Sequence, residues 1–281
     1  MKRIQLLGVI LSFSLLFACK KDSNDSGSNS TKLSKVIVWN TIGYSHTIDV
    51  YGYRYDGMNR VSEITYANGD SASGEEQAKP YESIKWFYNG NEQKPFKSSG
   101  VNQSFIHYDE YYFYDDMGRL VGDSIVDANS HNEEKYSWGN NMIVRTSIWS
   151  NTTGGMSSVN QDTITLSDKS QLGATGSNPQ TGESFGSLYT YDNKINPLHL
   201  LNIRAAATFT AIAGLPTAGY NENNLIETAN GYFDIYGPGP AVFVKSQIIS
   251  SKYNYNAGGL PVDCETSGNI AGITRYKFYY N

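Results

Sequence analysis

Few side chains in this sequence are spaced to do chemistry together. Asp109-Glu110 and Asp115-Asp116 are the residue types of a glycoside hydrolase, in which two carboxyls flank one bond. Asp115, however, follows Tyr112-Phe-Tyr114, and Asp56 and Asp192 hold the same place after other Tyr pairs. A residue that recurs with its surroundings reads as turn chemistry, because a catalytic pair need occur only once. His46, His107, His131 and His199 lack paired metal-ligand spacing, and His131-Asn-Glu133-Glu134 reads as a solvated acidic turn rather than a cation loop. Cys264 alternates with Leu260 and Val262 and reads as core, with no histidine identifiable as the partner of a nucleophile. No phosphate loop or nucleophile elbow is present. The expectation is no catalytic residue, no metal and no cofactor. Trp39, Trp86, Trp138 and Trp149 can stack on sugar rings, although their strand context makes sheet packing the first reading.

The stretches carrying those aspartates repeat. Tyr53-Arg-Tyr55-Asp56-Gly-Met-Asn59-Arg60-Val61 and Tyr112-Phe-Tyr114-Asp115-Asp-Met-Gly118-Arg119-Leu120 are the clearest copies. Tyr253-Asn-Tyr255-Asn256-Ala-Gly258-Gly259-Leu260 keeps the frame with Asn in place of Asp. Weaker copies begin at Phe87-Tyr88-Asn89, Tyr136-Ser-Trp138, Tyr189-Thr-Tyr191-Asp192 and Tyr220-Asn221, with a degenerate one at Leu166-Ser167-Asp168. Successive copies lie roughly 24 to 35 residues apart, the range of a repeated supersecondary unit. Aromatics at i and i+2 share one face of a strand. The Asp/Asn and Gly/Asn that follow suit a tight reversal. An alternating stretch comes next, with Val61, Glu63 and Thr65 on one side and Ser62, Ile64 and Tyr66 on the other. Each unit is therefore a β-hairpin, repeated about eight times.

Composition agrees with strands and turns. The chain has 22 Tyr and 27 Gly, aromatics are 13% of it, and charged residues only 17%. The expected fold is all-β, one large curled or barrel-like antiparallel sheet over residues 35–281. A short helix or long loop near 197–218 interrupts it and is placed to plug one end, and Gly237-Pro-Gly-Pro240 marks another irregular connection.

Met1-Lys2-Arg3 followed by an apolar run from Ile4 to Ala18 reads as a signal peptide, since it is too short to span a bilayer. Its end, Leu16-Phe17-Ala18-Cys19, resembles a bacterial lipobox, which makes Cys19 the lipidation site and residues 19–34 a lipidated cysteine with a flexible tether. Removing residues 1–18 takes Lys2 and Arg3 away, leaving 20 basic against 27 acidic residues, net −7. That charge offers no footprint for nucleic acid.

The Tyr-x-Tyr-Asp-x-x-Gly-Arg-Leu frame at 112–120 resembles the tyrosine–aspartate repeats of the Rhs type. With the lipobox, Tyr191-Asp192-Asn193-Lys194-Ile-Asn196-Pro197, Asn223-Asn224 and Gly259-Leu260-Pro261, the chain also resembles a family of Bacteroidota lipoproteins carrying a domain of unknown function with a porin-like fold. Lys20-Lys21-Asp22 with Asp25 is similar to the charged export tag of Bacteroidota surface lipoproteins. Asp70-Ser71-Ala72, Asp123-Ser124-Ile125 and Asp162-Thr163-Ile164 are similar to their short O-glycosylation motif. The resemblance implies an antiparallel all-β fold and an outer-membrane address, and it transfers no catalytic residue. "Porin-like" is read as shape only, because a lipid anchor is redundant on a chain that already spans a membrane. The expectation is a non-enzymatic outer-membrane lipoprotein, soluble and tethered, acting as a scaffold or binding module towards envelope proteins or glycans. A surface glycan-binding protein is the alternative, and a carboxylate-pair glycoside hydrolase the third.

Overall fold

The computed structural model describes residues 31–42, 45–70, 79–101, 107–151, 158–167, 170–177, 184–205, 221–234, 242–268 and 272–281. The expected signal segment, Cys19, the tether up to residue 30, Ser71, Asp168, Tyr220 and Gly237–Pro240 lie outside the described residues. Sixteen strands follow one another: β1 (Leu33–Ile42), β2 (Ser45–Tyr55), β3 (Val61–Asp70), β4 (Lys79–Tyr88), β5 (Pro95–Val101), β6 (His107–Tyr114), β7 (Leu120–Asp127) and β8 (Ser130–Trp138). The second half continues with β9 (Met142–Asn151), β10 (Ser158–Leu166), β11 (Gln171–Ser177), β12 (Ser184–Ile195), β13 (Asn223–Asp234), β14 (Val242–Tyr255), β15 (Pro261–Gly268) and β16 (Ile273–Tyr280). Each pairs antiparallel with its neighbours in sequence, and β1 pairs with β16 from Leu33↔Tyr280 to Thr41↔Ile273. The sheet of repeated hairpins is thus a closed barrel, which leaves no edge to protect. Its first strand starts at Leu33, two residues ahead of the domain start read from sequence.

The repeated motif builds one rim. In the turn after β2, Asp56 N–H donates to Arg60 O (2.8 Å) and Asn59 N–H donates to Asp56 O (3.0 Å). The same two bonds close Asp115–Arg119 and Asn256–Leu260. The left-handed position falls on Asn59 (φ 62°), Gly118 (φ 73°) and Gly259 (φ 78°), residue types that tolerate it. The turn residue's side chain completes each copy: Asp56 accepts from the N–H groups of Met58 and Arg60, Asp115 from Met117 and Arg119, and Asn256 from Gly258 and Leu260.

After the turn the register slips by one residue. Tyr55 faces Val61 while Arg54 faces Glu63, and the same bulge recurs at Tyr88/Pro95, Tyr114/Leu120, Leu166/Gln171 and Tyr255/Pro261. Strict alternation would group Val61 with Glu63 and Thr65. The bulge instead puts Val61 with Ile64 in the core, and it makes Val262 the extra residue beside Cys264.

In most units the second aromatic reaches back to the start of the preceding strand, Tyr255 being an exception that turns to Asp192. Tyr55 OH donates to Leu33 O (2.7 Å), Tyr88 to Val61 O (2.6 Å), Tyr114 to Pro95 O (2.9 Å), Tyr191 to Gln171 O (2.7 Å) and Tyr280 to Pro261 O (2.8 Å). Trp138 does the same with its indole N–H, to Leu120 O at 2.7 Å. β16, ending Phe278-Tyr279-Tyr280, makes the eighth unit, while Asn221 precedes β13 and the Tyr220 copy lies outside the described residues. Asp192 keeps one bond of the turn role, accepting Lys194 N–H at 2.9 Å, and adds others. It sits within β12, accepts the backbone N–H of Asn224 (3.1 Å) and is contacted by Tyr255 OH, so it ties three strands together.

Buried apolar residues come from β1 to β4, β6 to β10, β15 and β16, with Ala174 of β11 and Tyr253 of β14 packed half-buried against them, and they fill the interior near this rim. Val36, Tyr53, Ile64, Tyr112, Tyr136, Ile143, Cys264 and Phe278 belong to this core. The expected helix is present as two 3-10 turns, Pro197–Leu200 and Asn202–Ala205, while residues 206–220 lie outside the described ones. Pro197 opens the first turn and Asn196 caps it by accepting Leu198 N–H at 3.0 Å. Leu198, Leu201 and Ile203 are fully buried in the core, each worth about 1.5–3 kcal/mol of apolar burial. Asn202 pins this plug, accepting Val61 N–H (2.8 Å) and donating to Gln93 O (2.7 Å).

Candidate functional site

Beyond the core, the inward positions of β4 to β10 turn acidic. Glu110 pairs across the sheet with Ile125 and Tyr112 with Asp123, and Asp123 in turn pairs with Glu134. Glu134 faces Ser147, Tyr136 faces Arg145, and Arg145 faces Asp162. These side chains share the face of Tyr112 and Tyr136, so they point into the lumen.

They are joined by tyrosine hydroxyls. Tyr136 OH lies 3.0 Å from Asp123 Oδ2 and also contacts Glu134 Oε2. Tyr112 OH donates to Glu110 Oε2 (2.7 Å) and meets Ser98 Oγ (2.9 Å). The luminal cation here, Arg145, is committed to Asp162 through a two-pronged pair (2.8 and 3.0 Å) and stands 4.0 Å from Glu134. Asp123 is 8% exposed; burial, then the charges of Glu134 and Glu110, push its carboxyl up to about 7. Burial likewise raises Glu110 and Glu82, the latter further along the same wall with Oε1 buried and unpartnered. Tyr136 has one proton to donate, so holding both carboxyls on it takes a second proton on one of them.

A cavity of about 270 Å³ opens against this wall, lined by Glu110, Asp123, Asn132, Glu134, Trp149 and Asn160 among others. Of the four tryptophans, Trp149 alone borders it. Trp39 lies on the outer face in a shallow groove with Ile273 and Arg275. Trp86 is in the core, stacked on Tyr112 with ring centres 5.7 Å apart, and Trp138 belongs to the rim beneath Arg119. The four do not form one platform. Of the repeat residues, Tyr53, Tyr112 and Tyr253 pack inside, Tyr253 stacking on Tyr255, and Tyr189 pairs with Thr228 on the inward face. Asp109 faces outward to Lys97 (2.9 Å), so Asp109-Glu110 splits between the two faces, and Asp115 is fixed in its turn.

The sequence places Asp123 and Asp162 in short Asp-Ser/Thr-Ile motifs and Glu134 in an acidic turn, and nothing in it brings the three together with Arg145. A signal was available: Glu110 and Glu134 stand two residues before an inward aromatic, Tyr112 and Tyr136, and so must share its face. Asp123 was hidden by the bulge after Leu120, which shifts the inward phase. In the two Asp-Ser/Thr-Ile motifs that are described, the aspartates Asp123 and Asp162 point inward.

The outer face carries a different pattern. Cross-strand ion pairs join Arg54 to Glu63, Lys97 to Asp109, Lys245 to Glu227 and Arg275 to Glu265, and Lys135 meets Glu133 on its own strand. Exposed apolar residues such as Phe113, Leu188 and Ile248 are scattered between them. No helix among the described residues is long and apolar enough to cross a membrane.

No family model matches this chain, and no curated protein matches it. Solved structures do. A porin-like protein from Bacteroides uniformis superposes with a TM-score of 0.51 at 11% identity, over 89% of this chain and 96% of that one. A porin-like protein from Bacteroides vulgatus gives 0.54 at 13% identity, over 89% and 99%. At these identities the likeness is one of fold.

Proposed function

We propose that this chain is a non-enzymatic envelope protein, held at the outer membrane by lipid on Cys19, whose barrel stands in water and whose lumen binds a small polar ligand. The observation that carries this reading is the charged outer face. A lipid-facing band is about 25 Å tall and charges at its midplane cost about 2–4 kcal/mol each for Arg or Lys. The strands run from seven to fourteen residues, and those of eight to ten, tilted by about 40°, rise only about 20–25 Å. On its shorter strands such a band would take in Lys97, Lys135 and Arg275, while Arg54 and Lys245 lie towards the ends of longer ones. In water the same pairs are harmless and keep the outer face soluble. The likeness to porin-like proteins supports an envelope setting in shape.

The Asp123 and Glu134 pair lends the hydrolase alternative no support. A glycosidase keeps its carboxyls on either side of a scissile bond, whereas Tyr136 OH occupies the space between Asp123 and Glu134. A glycan platform of four tryptophans is likewise not assembled, which leaves Trp149 at the luminal cavity.

Fractionation tests the reading. Cys19→Ala should move the protein from the membrane pellet to the soluble fraction with its thermal transition unchanged. If the variant stays in the pellet after an alkaline carbonate wash, the barrel itself sits in the bilayer and the reading is wrong.

A further inference from the structure

Charges are not spread evenly round the outside of the barrel. Among the described residues, the outward positions of β9 to β12, from Met142 to Thr190, hold no Asp, Glu, Lys or Arg. Every other strand except β7 carries at least one at such a position, from Lys35 on β1 to Lys277 on β16. The scatter of exposed apolar side chains thickens on this uncharged arc, where Val159, Leu172 and Leu188 are 44–60% exposed. Ile148 faces Val159 in one cross-strand row, and Met142, Thr165, Gly173 and Leu188 make another across all four strands. Leu188 folds over Gly173, where a Cβ would meet its Cδ2 at 3.3 Å, and so levels the face.

Ion pairs bound the arc on both sides, Lys135 with Glu133 on β8 and Lys245 with Glu227 across β13 and β14. An uncharged centre inside a charged rim is the layout of a protein–protein contact. We infer that this arc is where a second copy of the chain docks, face to face about a two-fold axis. In such a contact each residue near the axis meets its own counterpart, so a charge there would oppose its own sign. The stretch from Met142 to Leu188 escapes that repulsion over four adjacent strands.

A bilayer fits the arc less well. Lipid contacts at the headgroup boundary draw on Trp, Tyr, Lys and Arg, and the outward positions of the arc hold none of the four. Four strands about 4.8 Å apart and roughly 25 Å long present about 500 Å² per copy. Two copies together bring about 1,000 Å², the least that a specific contact needs, so the dimer is weak and reversible. The inference rests on the reading of a barrel that stands in water, which leaves this face free for a protein partner.

Sedimentation equilibrium of the purified full chain in density-matched detergent tests this. The native chain should pass from monomer to dimer over micromolar concentrations. Leu188→Arg and Val159→Lys, at exposed positions, should each raise the dissociation constant at least about tenfold with unchanged melting curves. Phe113→Arg places the same charge on an exposed apolar position of β6, off the arc, and should leave association as it is. A native chain that stays monomeric to about 100 μM would overturn the inference. So would a dimer untouched by the two arc variants, or one broken equally by Phe113→Arg. Flotation of the Cys19→Ala chain with phosphatidylcholine vesicles, lost in Leu188→Arg, would assign the face to lipid and overturn it as well. Resistance of Cys19→Ala to the carbonate wash is read without any association measurement, so failure of the anchoring reading and failure of the dimer are told apart.

Discussion

Asp56 grips Arg60 at three points: its carboxylate accepts the backbone N–H at 2.9 Å, Nε at 2.8 Å, and lies 2.7 Å from a terminal guanidinium nitrogen. The rest of the guanidinium is spent on the neighbouring turn, donating to Gly90 O and Glu92 O (2.8 Å each) and lying 4.3 Å from the centre of the Tyr88 ring. One carboxylate thus fixes two adjacent turns. Asp115 and Arg119 repeat the grip, but Arg119 is 40% exposed where Arg60 is 8%. Asp56→Ala should therefore cost about 2–4 kcal/mol, since it leaves a buried charge unpaired. Asp115→Ala should cost clearly less. Urea denaturation compares them, and equal losses would refute the distinction.

The aromatic belt makes a second prediction. Tyr114→Phe removes only the hydroxyl that donates to Pro95 O, and should lower stability by about 1 kcal/mol. Tyr191→Phe should do the same at Gln171, on the far side of the ring. The double variant should lose the sum, because the two bonds share no partner. A double loss well beyond the sum would mean that the belt acts as one cooperative unit.

Gly118 sits at φ 73°, and a Cβ built there would meet Lys94 Nζ at 1.7 Å. Lys94 donates from that position to Gly118 O (2.7 Å). Gly118→Ala should thus cost about 1–2 kcal/mol in strain and dislodge the lysine. Asn59 holds the same place at φ 62°, so Asn59→Gly should change stability by no more than about 0.5 kcal/mol. Thermal melts of the two variants decide it.

How far the sequence revealed all this depends on period. Tyr53, Tyr55, Tyr112 and Tyr114 showed the strand, its inward face and its turn at once, because period two and turn chemistry are local properties. Closure was less visible: nothing local in Phe278-Tyr279-Tyr280 announces that its partner is β1. The carboxylate wall was missed for two physical reasons. The bulge after Leu120 breaks the alternation that would have carried Asp123 inward, and Glu134 was read as part of an acidic turn although it belongs to β8. Arg145 and Asp162 find each other only across β9 and β10, a pairing that depends on register.

The raised carboxyl of Asp123 makes stability depend on pH. Its value in the folded chain is about 7 against an ordinary 3.8, so between those values the native state holds a proton that the unfolded chain has released. The stability this contributes is complete below about pH 4 and is lost as pH rises through about 7. Asp123→Asn has no such proton to lose. Relative to the native chain it should gain about 2–4 kcal/mol on going from pH 4 to pH 8, read from urea midpoints. The same offset at both pH values would show that Asp123 titrates normally.

The pairing of β1 with β16 has a consequence for how the molecule is made. Fifteen of the sixteen strand pairings join sequence neighbours and can form as the chain emerges, whereas this one brings together residues such as Ser34 and Tyr279, 245 positions apart. Closing so long a segment costs roughly 2–3 kcal/mol more than closing a hairpin, and distant contacts form slowly. Until the seam zips, β1 and β16 are two unpaired edges, each able to take a strand from another molecule. The last step of folding is therefore also the moment of greatest exposure to aggregation, and refolding yield should fall with protein concentration through this seam before any other part of the barrel.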